Sequence, residues 1–458
     1  MELLKKQNVD ATTGPLLQKI IIYTIPLLLT TLIQQLFNAV DIVVLGNMAD
    51  STAVASVAAT NSVISLIVTA FVGISTGTRV VLARFIGAKD GDNIRSVTDT
   101  SLIAAAVMGV VIAVCGFFFA PWFLDITNCP EECYEGALIY VRIYVSAAPF
   151  ILLYNFGSAV MTADGDTQRP LYYIMVGGAT NVILNVILCL VLPQKVIAVA
   201  VATVVSQIIG AFLVLRQLTV TETACKVDLL HMRFRLSALG KVLASGLPMA
   251  FVHALFPLSN LQIQSAINSY GVAATAGNGA ASTIETVLSA FVTPFGTTAA
   301  VFIGQNMGAK KPDRVKRSFR TCMMITAFLG VILGVATFVT ARFWLGLIVG
   351  SDAAAIEYGI IRMSCTTLFY VFAGVNGVFA SAILAHGYSL ASAINSVFSI
   401  FVFRVIWMQV IYPHYETFFF VMLCFVVSWA VRMLVNIVLY GTISHKYSKK
   451  AKLPSCEE

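Results

Sequence analysis

The sequence predicts an all-α integral membrane protein, twelve transmembrane helices in two six-helix lobes related by a parallel repeat. Three observations lead there. The chain of 458 residues is 58% hydrophobic and only 11% charged, with a mean hydropathy of +0.87, whereas a water-soluble domain carries roughly 25% charged residues. Apolar runs of about 20 residues recur along the whole length, as a ~30 Å hydrocarbon layer demands of a helix. Finally, the second half repeats the first. A β-barrel would show ~10-residue segments of alternating polarity instead; the sequence has none, so the spans are helical.

Charges, glycines and prolines bound the apolar runs. In the first half the spans cover 16–45, 53–80, 95–120, 136–161, 169–192 and 196–218. A basic stretch without a span follows, and six more runs cover 241–268, 273–303, 317–348, 354–384, 389–412 and 416–442. The expected organisation is an N-lobe over 1–218, a cytoplasmic linker over 219–240 and a C-lobe over 241–458. The first run is too long for a signal-peptide core and has no small-residue cleavage site after it, so it reads as a permanent span. Of the nine cysteines, none forms a CxxC pair. Cys129 and Cys133 share the acidic loop TNCPEEC, where two free thiols are favoured over a disulfide.

Lys and Arg tell the orientation, because cytoplasmic loops are the basic ones. Alternate loops hold Arg84, Lys89 and Arg95; Arg169; Lys226, Arg233, Arg235 and Lys241; and Lys310, Lys311, Arg314, Lys316, Arg317 and Arg320. The intervening loops hold Lys195 beside Glu131, Glu132, Asp352 and Glu416. Both termini are therefore expected in the cytoplasm, and the chain in the inner (cytoplasmic) membrane, as a monomer. Topology also accounts for the net charge of +7, which needs no nucleic-acid partner.

The repeat sets the architecture. Pro26 and Asn38 precede Pro248 and Asn260 by 222 residues, and Gly87-Ala88-Lys89 precedes Gly308-Ala309-Lys310 by 221. Arg142 and Gly157 precede Arg362 and Gly377 by 220. Six spans per half give both halves the same orientation, a parallel repeat about an axis along the membrane normal. Such a pair of bundles has a natural site in the cleft near mid-membrane and a natural motion, rocking, which is alternating access.

An ionisable residue at the centre of a span costs ~2.5–3.5 kcal/mol on insertion scales and needs a partner, water or a purpose. Two acids fall there: Asp41 in the first span and Glu285 in the eighth. Gln34, Asn38 and Asp41 share a helical face at i, i+4 and i+7, and Asn181 and Asn185 lie one turn apart in the fifth span. A carboxylate with nearby amide oxygens is suited to a proton or to Na⁺; the structural alternative is a hydrogen-bond cluster that joins helices. Glu285 and Asp41 have Val63 and Ile263 at their repeat positions, so neither acid is a duplicated structural feature. Asn260 and Gln264 share a face in the seventh span, near His253, although a lone helical histidine is more often a satisfied structural residue. Arg404 needs an acidic or carbonyl partner. Pro26 and Pro248 each remove a backbone hydrogen bond within a span and are expected to bend it.

Enzymatic signals are poor. Gly73-Ile74-Ser75-Thr76-Gly77 fits G-x-S-x-G literally but lies in an apolar helix, not at a strand-to-helix turn. No HExxH, P-loop or Cys/His metal spacing occurs. No cofactor is implied, and transport would draw on an ion gradient.

The segments LFNAVDIVVLG, STGTRVVLARFIGAKD, TADGDTQRP, VIAVAVATVVSQ and above all VFIGQNMGAKKPDRV resemble the multidrug and toxic compound extrusion (MATE) transporters, DinF-like branch, over essentially the full length. The resemblance implies two six-helix lobes around a cleft and secondary active efflux of organic, cationic, amphipathic compounds in exchange for H⁺ or Na⁺. It implies cation-coupling roles for Asp41, Asn181 and Thr203, with Asn185 standing where an aspartate is usual. Phe256 stands where the NorM-like branch has a glutamate, so that C-lobe acid is missing, and Glu285, Asn260, Gln264 and His253 are the candidates there. Asp41, Asn181 and Asn185 are the candidate Na⁺ ligands. A lipid-linked saccharide flippase would require a cleft rich in Arg and Lys, and few basic residues stand out within the spans. Export of an endogenous metabolite is a further alternative.

Overall fold

The computed structural model describes residues 8–48, 51–127 and 129–452. Among these residues ten helices are long and apolar enough to cross a membrane, and two bent pairs raise the number to twelve. The first half comprises α1 (Leu16–Met48), α2 (Ser51–Ala88), α3 (Gly91–Ile126), α4 (Glu131–Ser146), α5 (Ala148–Ala163), α6 (Gln168–Val191) and α7 (Lys195–Val220). The second comprises α8 (Leu236–Asn268), α9 (Val272–Gly308), α10 (Pro312–Val339), α11 (Ala341–Val349), α12 (Ala353–Thr366) and α13 (Tyr370–Ala385). Two more spans, α14 (Ser389–His414) and α15 (Phe418–Lys452), complete it.

The helices display the polarity that a bilayer demands, apolar outward and polar inward. Val107, Val111, Val114 and Phe118 of α3 are exposed, as are Phe328, Val331, Ile332 and Val335 of α10. Asn181, Asn185, Asn278, Asn376, Asn395, Asn436 and Arg404 are buried. Cys129 and Cys133 are free thiols.

The repeat written in the sequence reappears in backbone detail. Lys89 and Lys310, the last residues of the two Gly-Ala-Lys motifs, are the non-glycine residues with positive φ among the described residues, at 56° and 55°. In both, the next residue's N–H reaches back to the preceding helix, Asp90 to Phe85 O at 3.1 Å and Lys311 to Asn306 O at 2.9 Å. These left-handed residues satisfy the last helical carbonyls and turn the chain sharply. The fourth and tenth spans are likewise both broken, α4–α5 by 46° and α12–α13 by 45°.

The chain divides into two compact units. One contains residues up to Asp10 and Ile25–Ala250, the other Ala11–Thr24 and Phe251–Glu458. The divisions fall inside α1 and α8, beside Pro26 and Pro248, where each helix has lost a backbone hydrogen bond. In the first unit α2 meets the start of α8 through glycines: a Cβ on Gly77 would stand 2.4 Å from Val242 O and one on Gly246 2.6 Å from Ile74 O. In the second, a Cβ on Gly277 of α9 would stand 2.1 Å from Ala355 O of α12. No larger side chain fits at that crossing, and it brings the residues that follow Gly277 and Gly359 face to face.

Two polar clusters within the helical units

In the first unit, α6 carries Asn181 and Asn185 on one face, because residues four apart stack along a helix. Asn185 Nδ2 donates to Asn181 Oδ1 at 3.2 Å, and Asn181 Nδ2 donates to Thr203 Oγ1 of α7 at 3.3 Å. Both asparagines are buried, and Thr203 is half-buried. Asn181, Asn185 and Thr203 therefore meet, as a chain of neutral dipoles. On α1, Phe37 lies against Gly178 of α6, so close that a Cβ there would touch the ring. Asp41 follows Phe37 by one helical turn; its side chain lies outside the described residues. Gln34 and Asn38 are exposed.

The second unit holds charge. Glu285 of α9 and Arg362 of α12 form a two-pronged ion pair: Arg362 Nε donates to Oε1 at 2.9 Å and Nη2 to Oε2 at 2.7 Å. The side chains are 13% and 8% exposed, so water screens this pair little. Thr366, one turn after Arg362, donates its hydroxyl to Glu285 Oε1. Arg362 also donates to Asn278 Oδ1, and Asn278 Nδ2 donates to Gln264 Oε1 at 3.3 Å. Gln264 in turn donates to Asn268 at 2.8 Å. A continuous network thus joins Gln264 to Glu285, and the glycine crossing at Gly277 and Gly359 makes room for it.

Arg404 occupies a separate position. It lies on a short α-helical stretch of α14, Phe403–Ile406, between two π-helical stretches, Val397–Val402 and Trp407–Ile411. Such turns alter which face a residue presents. At 1% exposure, its Nη1 donates to Asn260 Oδ1 at 3.0 Å and Ser259 Oγ at 3.4 Å, and its Nε to Ser428 Oγ at 3.3 Å. The Phe425 ring lies under both Arg404, at 4.5 Å, and Arg362, at 5.1 Å. Asn260 is thus engaged by Arg404, whereas His253 is exposed.

Sequence reasoning singled out Glu285 and Arg404 and missed Arg362, Asn278, Thr366 and Arg432. The rule that singled out Glu285 and Arg404, that a charge inside a span needs a partner, flags Arg362 and Arg432 equally.

Comparison with known proteins agrees with this architecture. The MatE family model matches residues 26–191 and again 248–408, two matches that begin 222 residues apart. The chain is 25% identical to the probable multidrug resistance protein YoeA of Bacillus subtilis over 83% of each chain. It is 24% identical to YpnP of the same organism, also a probable multidrug resistance protein, over 86% of this chain and 88% of that one. It is also similar to an FAD transporter of Shewanella oneidensis, 22% identical over 75% and 76% of the two chains. Among solved structures, a MOP superfamily transporter from Pyrococcus furiosus, described as having a binding pocket of reverse polarity, matches with a TM-score of 0.88. It is 20% identical and covers 98% of this chain and 99% of its own. A family match over both halves of an almost wholly helical, multi-pass chain identifies this protein as a member of the MatE family of membrane transporters.

Proposed function

We propose that this protein is a secondary active exporter that exchanges H⁺ or Na⁺ for organic, amphipathic compounds, cationic ones among them, by alternating access. Its family and its relatives' names support multidrug efflux. The observation that carries the ion coupling is the Glu285–Arg362 pair. A carboxylate held by two guanidinium N–H groups on another helix is released when it gains a proton, because the neutral acid no longer attracts the cation. Proton arrival at Glu285 would thus loosen α9 from α12, a chemical event converted into a change of helix packing.

In this reading Glu285 serves coupling and not the attraction of a cationic substrate, since Arg362 already occupies both of its oxygens. Asp41 carries the coupling ion of the first unit, with Asn181, Asn185 and Thr203 as its polar surroundings, and their oxygens suit Na⁺ as well as a protonated acid. Gln264 supports the Glu285 network through Asn278. The protein acts as a monomer in the cytoplasmic membrane, with both termini on the cytoplasmic side.

The test is flux in proteoliposomes, following ethidium under an imposed pH gradient and then under a Na⁺ gradient. Movement under one gradient alone is expected and names the ion. Wild-type flux in both Asp41→Asn and Glu285→Gln would overturn the assignment of these residues.

A further inference from the structure

The second unit holds more positive charge than its own acids balance. Arg362 is matched by Glu285. Arg404 and Arg432 have no carboxylate within ion-pair distance among the described residues. Arg404 is held by two serine hydroxyls, an asparagine oxygen and the Phe425 ring, all of them neutral, and Arg432 donates from Nη2 to Ser396 Oγ at 2.8 Å. One N–H group of each, Arg404 Nη2 and Arg432 Nε, is buried with no hydrogen-bond acceptor among the described residues.

The two side chains belong to one locality. Ser428, the acceptor for Arg404 Nε, precedes Arg432 by one turn on α15, and Ser396, the acceptor for Arg432, precedes Arg404 by two turns on α14. Each arginine is thus bonded to the helix that carries the other. A guanidinium cannot shed its proton as a buried carboxylate can gain one. Two such groups on packed spans, each with an N–H group unused, are costly for the fold to keep. A water molecule would supply an acceptor but no counter-charge; an anionic oxygen supplies both. Guanidinium forks match carboxylate and phosphate oxygens in geometry.

We propose that Arg404 and Arg432 form, inside the second unit, a binding site for the carboxylate or phosphate group of an organic anion, so that the cargo of this transporter extends to anionic and zwitterionic compounds. That the bound compound is also carried rests on the exporter reading; the binding itself does not. The same chemistry would recognise the headgroup of an anionic lipid, and the test separates the two.

The full-length protein in phosphatidylcholine nanodiscs is titrated with 5-carboxyfluorescein, read by fluorescence anisotropy, with the thermal unfolding transition as a check on folding. The wild type is expected to bind the dye and inorganic phosphate to compete with it. Arg404→Gln and Arg432→Gln should each weaken binding about tenfold or more, the scale of losing a hydrogen bond to a charged group, and Arg404→Lys should weaken it less. Should one glutamine variant not fold, the other and the lysine variant carry the comparison. Weaker dye binding by the wild type in phosphatidylglycerol nanodiscs would identify a lipid headgroup as occupant; unchanged binding would identify a soluble cargo. No dye binding by the wild type, or equal binding in folded variants, would overturn the proposal. Because no gradient is used, failure here leaves the ion-coupled efflux of cations standing, and failure of that efflux leaves this site standing.

Discussion

The two units descend from one repeat and have come to hold their interior polarity differently. In the first, Asn181, Asn185 and Thr203 are joined through neutral dipoles at 3.2–3.3 Å. In the second, Glu285 and Arg362 are joined as ions at 2.7–2.9 Å, and Arg404 shares the Phe425 ring with Arg362. Arg142, the repeat counterpart of Arg362, pairs with no acid among the described residues: it donates to Phe117 O at 3.4 Å and lies over that residue's ring. A neutral hydrogen bond is worth about 1 kcal/mol net, and a cluster of them tolerates the loss of a member. A buried ion pair contributes little net stability, yet becomes costly once half of it is removed. Loss of one member should therefore be mild in the first cluster and severe in the second.

The largest expected effect is at that pair. Glu285→Gln strands a guanidinium that cannot be neutralised and should cost about 3–5 kcal/mol, read as a fall in the thermal unfolding midpoint. Arg362→Met should cost less, since a stranded carboxyl can take up a proton. The double variant should be more stable than Glu285→Gln alone. Equal losses for both single variants would break the contrast between the units. Next in size is Gly277→Val, which forces α9 from α12 against Ala355 O and should cost about 3 kcal/mol, the upper range for overpacking. Its unfolding midpoint should fall as Glu285→Gln's does, and the two effects should be less than additive, because both disrupt one contact.

A smaller effect is expected where the first unit does hold a titrating acid, outside its spans. Asp164, at the end of α5, accepts from Asn8 Nδ2 at 2.8 Å and is bordered by Thr223, Cys225 and Asp166. Burial pushes its carboxyl up to about 6 from an ordinary 3.8, and the neighbouring Asp166 adds to the rise. A folded-state value above the unfolded one means that folding favours the protonated acid. Stability should therefore fall as pH rises from about 4 to about 6, by about 2 kcal/mol, and Asp164→Asn should flatten that slope. A slope unchanged in this variant would place the titration elsewhere. The smallest effect belongs to the neutral cluster: Asn181→Ala should cost about 1 kcal/mol. A cost as large as that of Glu285→Gln would show that the first unit, too, depends on a single residue.

The helical class, the multi-pass architecture and the positions of the spans were legible because a ~30 Å apolar layer imposes a length that no single residue can alter. The repeat was legible at Gly-Ala-Lys, and the backbone of Lys89 and Lys310 shows why: the left-handed turn repeats with the motif. The meeting of Asn181 with Asn185 followed from helical spacing alone. Spacing could not supply partners across helices. That Glu285 would find Arg362, 77 residues away, depends on a glycine crossing between α9 and α12, and no local pattern announces one. Arg404 read as a residue in need of an acidic or carbonyl partner, and the structure gives it the side-chain carbonyl of Asn260, together with two serines and an aromatic face. The π-helical turns that orient it have no signature in the sequence.

The central claim, that protonation of Glu285 couples an ion gradient to transport, is tested most directly by comparing two modes of ethidium transport in proteoliposomes, for wild type and Glu285→Gln. In counterflow, labelled ethidium exchanges for unlabelled with no ion gradient; in the other mode a pH gradient drives net flux. The account predicts that Glu285→Gln retains counterflow and loses the gradient-driven flux. Net flux at the wild-type rate in this variant would contradict it.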